Sequence, residues 1–196
     1  SGTLWCLCSE NEHNPNDTYQ RRSKHARIVP LPNWMDFGKK RWGIANKMES
    51  MKVWLRTNPT FTGTVLLLDP DMCFLRRIEE DVPLGTIVGQ RWNDHNMSQH
   101  PIMQRYCTDK TLLTNETCFM YPFIINVEDL RKIVDRYTEL CYHIREKEDV
   151  WEADMYALII AALEAGLNIV TKPLGCCNNW EAYRDKEYPI VHFPGR

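Results

Sequence analysis

The stretch Val65-Leu66-Leu67-Leu68-Asp69-Pro70-Asp71 decides how this chain is read. Four consecutive apolar residues, bounded by Gly63-Thr64 and by a proline, have the length and continuity of a strand buried on both faces, as in parallel sheets. Pro70 lacks an N–H for the ladder and biases Asp69 toward an extended conformation. The strand is therefore expected to end with both carboxylates near its carboxyl edge, where open α/β sheets bind ligands. Two hard oxygen ligands one residue apart suit Mg²⁺ or Mn²⁺, cations that keep positions for water and for substrate phosphates. The plainer reading is a solvated Asp-rich turn, since Asp and Pro are both ordinary turn residues.

Upstream of this stretch, Ile44, Met48, Met51 and Leu55, with Trp54 beside them, predict an amphipathic helix between Lys40 and Arg56. Thr3 to Ser9 and Ile28-Val29 read as strands separated by a polar loop from Glu10 to Lys24. Downstream, Thr86-Ile87-Val88 reads as a strand, followed by a loop from Gln90 to Gln104 whose length is more typical of functional or flexible segments. Phe123 to Ile125 is a strand, and Asn126 is placed to cap a helix carrying Leu130, Ile133, Val134, Tyr137, Cys141 and Ile144. A second helix from about Val150 to Ala165 is apolar nearly all round, hence buried, and ends at Gly166. Ile169-Val170 and Ile190-Val191 close the pattern as strands, the latter delivering His192. Strands alternating with helices predict an α/β fold, one domain over residues 1–196, with a mostly parallel central sheet flanked by helices.

Composition narrows the partners. The formal net charge is −2, and basic residues are scattered apart from short groups such as Arg21-Arg22 and Lys39-Lys40-Arg41, so nucleic acid is not an expected partner. No apolar stretch reaches the roughly 18 to 20 residues that span a bilayer, so membrane association is expected only through an anchor outside this chain. Eight cysteines and three acceptor sequons, Asn16-Asp17-Thr18, Asn96-Met97-Ser98 and Asn115-Glu116-Thr117, point to the secretory pathway, the Golgi or ER lumen. Cys6-x-Cys8 and Cys176-Cys177 do not match zinc-ligand spacings. At least one disulfide is expected, with Cys107 and Cys118 a local candidate pair; the alternative is that most are buried small hydrophobes.

Three further features carry candidate chemistry. Asp154 is the odd residue of the apolar helix: either it is a first-turn carboxylate favoured by the helix dipole, or it faces a cleft and supports a reacting centre or a sugar hydroxyl. His192, at a strand end, is either structural or a ligand for Mn²⁺ beside the two carboxylates. Lys47 could pair with phosphate or be solvated, and Trp42, Trp92 and Trp180 could stack on sugars or pack in the core. An aspartate-nucleophile phosphatase also uses Asp-x-Asp after a buried strand. Against it, Cys73 stands where Thr or Val is expected, and no later Gly-Asp-rich acidic motif follows.

Taken in order, Ala45-Asn46-Lys47, Val53-Trp54-Leu55, Leu66-Leu67-Leu68-Asp69-Pro70-Asp71-Met72 and Trp151 through Asp154-Met155-Tyr156-Ala157 resemble the plant and algal hydroxyproline O-arabinosyltransferases and peptidyl serine α-galactosyltransferases. The opening Ser1-Gly2-Thr3-Leu4 and the closing Val191-His192-Phe193 share the likeness. The resemblance implies a GT-A glycosyltransferase that moves a sugar from a UDP-sugar to a hydroxyl of hydroxyproline or serine in a secreted protein, or of a glycan acceptor, with retention. By it Asp69 and Asp71 hold Mn²⁺ (or Mg²⁺) against the diphosphate, His192 is a further metal ligand, Asp154 is the catalytic acidic residue, and Asn46 and Lys47 border the nucleotide-sugar. Two residues depart from the family: Met48 replaces a usual proline, and Asp154 a usual glutamate. The family also carries a further upstream strand that contacts the base, so either the Thr3 strand takes over that role or the pocket is incomplete within residues 1–196. The alternative is a glycosyltransferase-like domain without turnover that binds glycans or builds a secreted assembly.

Overall fold

The computed structural model describes residues 4–9, 26–32, 34, 36–37, 40–91, 96, 99–177 and 188–192. The chain folds as two units, Ser1–Pro59 and Thr60–Arg196. In the first, β1 (Leu4–Ser9) and β2 (Ala26–Leu31) pair in parallel, as the sequence predicts strands there. The Glu10 to Lys24 loop lies outside the described residues. β3 (Asp36–Phe37) and β4 (Lys40–Arg41) make a short antiparallel ribbon. That ribbon takes the first residues of the predicted helix, so α1 spans Ile44–Thr57 and buries the expected stripe of Ile44, Met48, Met51, Trp54 and Leu55. Asn58 ends it by donating from both backbone and side chain to the Trp54 carbonyl, ahead of Pro59, which could not extend the ladder. Trp42 is 0% exposed, a packing residue rather than a stacking platform; Trp92 and Trp180 lie outside the described residues.

The second unit holds β5 (Thr64–Leu67), β6 (Met72–Phe74), β7 (Thr86–Arg91), α2 (Pro101–Tyr106), β8 (Phe119–Asn126), α3 (Val127–Glu148), α4 (Ala153–Glu164), β9 (Asn168–Lys172), β10 (Gly175–Cys177) and β11 (Ile190–His192). Four strands form one sheet in the order β5-β8-β7-β9, and three form another in the order β10-β11-β6. In the four-stranded sheet β8 runs antiparallel to both its neighbours and, among the described residues, only β7 and β9 are parallel; in the three-stranded sheet β10 and β11 are parallel and β6 is antiparallel. The expectation of a mostly parallel sheet is thus corrected to a mixed one. A parallel connection needs a crossover that returns the chain to the strand's starting edge. Between β7 and β8 the one α-helix described has six residues, about 9 Å long, which cannot retrace a strand of about 20 Å.

A second correction concerns β5. It is an edge strand of its sheet among the described residues, and 65–68 are half-buried rather than buried on both faces. The enclosed position belongs to β8, whose Tyr121, Phe123, Ile124 and Ile125 are almost inaccessible. On one face, Ile124 joins Val82, Val88 and Leu174, with Leu66, Ile78 and Val170 packed against them. On the other, Tyr121 meets Tyr137 of α3, which itself packs along α4. Asn126 caps α3 by accepting from the Glu128 N–H at 3.0 Å, as its spacing predicts. α4 is buried nearly all round and is followed by Gly166 at φ 71, also as expected.

Two local devices fix the geometry near β7. Asp129, 0% exposed in the first turn of α3, accepts from the Gly85 N–H at 2.6 Å and from Lys132 at 2.7 Å, tying the helix to the turn that opens β7. At the far end the ladder slips: Gly89 pairs with Phe123 but Gln90 with Met120, leaving Tyr121 and Pro122 outside the β7 register. Pro122 has no N–H to lose there. Gly89 is required, because a Cβ would stand 2.3 Å from a ring carbon of Phe119. Cys73, Cys107, Cys118 and Cys141 carry thiols, so the Cys107–Cys118 disulfide is not formed. Cys107 instead donates its S–H to the Asp109 carbonyl at 3.3 Å, and burial pushes its thiol pKa up. The side chains of Cys6, Cys8, Cys176 and Cys177 lie outside the described set. Among the described residues no helix is long and apolar enough to cross a membrane.

Candidate metal centre

β5 stops at Leu67, and the chain reverses through Asp69-Pro70-Asp71 before β6 begins. The Met72 N–H donates to the Asp69 carbonyl at 3.1 Å and closes this turn, so the two aspartates come as one local unit at the carboxyl end of β5. His192 arrives from the other end of the sequence. Its strand, β11, lies antiparallel to β6 with His192 directly opposite Met72, the neighbour of Asp71. One ligand atom each from Asp69, Asp71 and His192 then lie within 4.8 Å of one another.

The three side chains are close enough to hold a metal ion. Nε2 of His192 stands 3.2 Å from Oδ1 of Asp71, yet that buried oxygen accepts no hydrogen bond. The two atoms are close without donor alignment, as atoms facing a shared third partner are. A buried carboxylate oxygen left so costs desolvation that hydrogen bonding does not return; a divalent cation among the three side chains would offset it. Two carboxylates and one imidazole suit Mn²⁺ or Mg²⁺, and three protein ligands leave positions for water or phosphate oxygens.

Asp154 does not belong to this group. It lies in the first turn of α4, 2% exposed, where the helix dipole favours a carboxylate. Its charge is felt at Tyr137, whose hydroxyl pKa is pushed well above its ordinary value first by burial, then by Tyr121 and Asp154. Tyr137 and Tyr121 share a buried hydrogen bond of 3.1 Å. Sequence reading did not single out this tyrosine pair, and only the pairing of β8 with its helices reveals it. Nearby, Tyr156 stacks on His100 at 4.6 Å and its hydroxyl is 3.1 Å from Nε2. Burial, with Glu152 and Cys118 adding to it, pushes Tyr156 up to about 12.

Asn46 and Lys47 belong to the first unit, on α1, both half-buried. The Asn46 side-chain oxygen accepts from the Trp34 N–H at 2.7 Å, so part of its hydrogen-bonding capacity already serves the local backbone. No family model matches this chain, and none of the curated proteins is similar to it.

Proposed function

We propose that the chain is a metal-dependent glycosyltransferase of GT-A type that moves a sugar from a UDP-sugar to a protein or glycan hydroxyl. The observation that carries the reading is the convergence of Asp69, Asp71 and His192 at the end of β5. In it, the two carboxylates and the imidazole hold Mn²⁺ or Mg²⁺. When bound, such a cation supplies Lewis-acid stabilisation of the departing diphosphate, so no protein acid is needed on that leaving group. The turn that carries Asp69 and Asp71 sets the position of the diphosphate. The family resemblance assigns Asn46 and Lys47 to nucleotide-sugar binding, Lys47 as a point charge for phosphate. Asp154 is the acidic residue assigned to the reacting centre. The sequons and the cysteine count support a home in the Golgi or ER lumen, with a secreted protein bearing hydroxyproline or serine as acceptor.

Calorimetric titration with Mn²⁺, and then with UDP in the presence of Mn²⁺, tests this on the native chain and on Asp71→Ala. The native chain binds both, and the variant loses more than about tenfold in Mn²⁺ affinity, with UDP binding falling alongside. Equal binding by the two proteins would refute the assignment. Incubation with UDP-sugars and hydroxyproline-rich peptides follows. Binding without transfer or donor hydrolysis would replace the enzyme with a glycosyltransferase-like binding domain.

A further inference from the structure

We propose that Gln90 is a positioning residue for the Asp69–Asp71–His192 group, a role that rests on the metal reading above. The three side chains reach the group by unequal routes. Asp69 and Asp71 are tied together by the turn that Met72 closes. His192 sits on a strand of three residues, too short to hold its own place, with β6 on one side and β10 on the other. The β6 side already carries the aspartates. β6 sets His192 opposite Met72, and β10 holds β11 from the other side, with Cys177 opposite His192.

β10 is the outer strand of its sheet among the described residues, and its first residue, Gly175, is opposite Ile190. Two residues on, Cys177 is opposite His192. The Gly175 N–H donates to Oε1 of Gln90 at 2.7 Å, which joins the small sheet to β7 of the large one. Nε2 of Gln90 donates in turn to the Arg91 carbonyl at 3.0 Å, so its amide has one orientation that satisfies both contacts. Gln90 is aimed this way by the register slip at Gly89/Gln90, because a bulge redirects the side chain next to it. The same slip leaves Pro122 outside the β7 ladder, with its Cδ 3.4 Å from where a Gly175 Cβ would stand. Gln90 thus acts on His192 through Gly175 and the β10–β11 pairing and touches no ligand atom itself.

Mn²⁺ titration of the native chain, Gln90→Met, Gln90→Glu and Asp71→Ala tests this, with the nitrogen modulation of bound Mn²⁺ in electron spin echo spectra reporting the imidazole of His192. Unfolding midpoints without metal are measured in parallel. Gln90→Met, similar in length but unable to accept well, binds Mn²⁺ about 10- to 100-fold more weakly, and its nitrogen modulation shrinks or vanishes. Gln90→Glu keeps an acceptor for Gly175 and restores the modulation. Native-like affinity and modulation in Gln90→Met overturn the role of Gln90 and leave the metal reading intact, even if the unfolding midpoint falls. Absence of Mn²⁺ binding by the native chain, or equal binding by Asp71→Ala, overturns the metal reading and this role with it.

Discussion

Gly89→Ala is the most informative single change outside the metal ligands. The added methyl meets three atoms of the Phe119 side chain at 2.3, 2.7 and 2.8 Å. Carbon atoms in contact sit at about 3.5 to 4.0 Å, so the ring must retreat by about 1 Å. It has nowhere open to go, being 0% exposed and edge-on to Phe123 at 6.2 Å. Overpacking of this kind costs about 1 to 3 kcal/mol, occasionally more. Replacing glycine within a strand returns roughly 0.5 to 1 kcal/mol of backbone entropy. An overlap down to 2.3 Å places the cost at the upper end of that range, so the expected net loss is about 2 kcal/mol, seen as a lower urea midpoint at unchanged slope. A double-mutant cycle isolates the cause. Phe119→Ala alone costs about 3 to 5 kcal/mol, but in its presence Gly89→Ala becomes nearly neutral, giving a coupling of more than about 1 kcal/mol. Stability of Gly89→Ala within about 0.5 kcal/mol of native, or simple additivity in the cycle, would refute the overlap as the reason for glycine here.

Asp129→Ala removes the acceptor of the Gly85 N–H and of Lys132, and denaturant titration should show a loss of about 2 to 3 kcal/mol; an effect below about 0.5 kcal/mol would mean that α3 and β7 do not depend on this tie. For Glu164, burial alone would raise the carboxyl, but hydrogen bonds from Arg136 and Thr108 outweigh it and hold its pKa below its ordinary value of 4.5. Its contribution is therefore present above that value and lost as pH falls through the folded one, so Glu164→Gln should be less stable than native at pH 7 and lose less on acidification, as followed by thermal melts between neutral and acid pH. Tyr137 and Tyr156 are both raised, so their contribution is present below the ordinary value of 10 and lost as pH climbs through the folded values, about 12 for Tyr156 and well above 10 for Tyr137. Ultraviolet titration at pH 11 should leave both unionised, with full amplitude appearing only on unfolding; complete ionisation of all eight tyrosines of the chain by that pH would contradict their burial.

Local signals in this sequence carried local structure well. Pro70 after four apolar residues marks the end of β5, Asn126 caps α3, and the unbroken apolarity around Asp154 marks a buried helix, each because the cause lies within a few residues of the effect. Strand direction was another matter. Whether β8 runs parallel or antiparallel depends on the rim at which the chain re-enters the sheet, and the described residues between β7 and β8 hold only short helical turns with no periodicity to announce it. The apolar run at Val65 reads as fully enclosed, yet enclosure depends on neighbours, and β8, an eight-residue strand against the four of β5, takes the inner place. The metal group was legible as three suspects, since Asp69, Asp71 and His192 all sit at strand ends. Their meeting was expected from the family resemblance and not from spacing, because it rests on β11 pairing with β6, a three-residue match too short to be found in composition. Gln90 left no mark at all; its part follows from a register slip between two strands.

The central place of β8 also bears on how the chain reaches its native state. Thr64 must find Asn126, and Ile87 must find Ile125, before both edges of this most apolar strand are covered. Contacts so distant in sequence form slowly, since loop closure precedes any gain from pairing. Until then a greasy strand stands with open edges, a template for another chain's strand. Refolding yield should therefore fall steeply as protein concentration rises, and a holding chaperone that sequesters β8 should recover it.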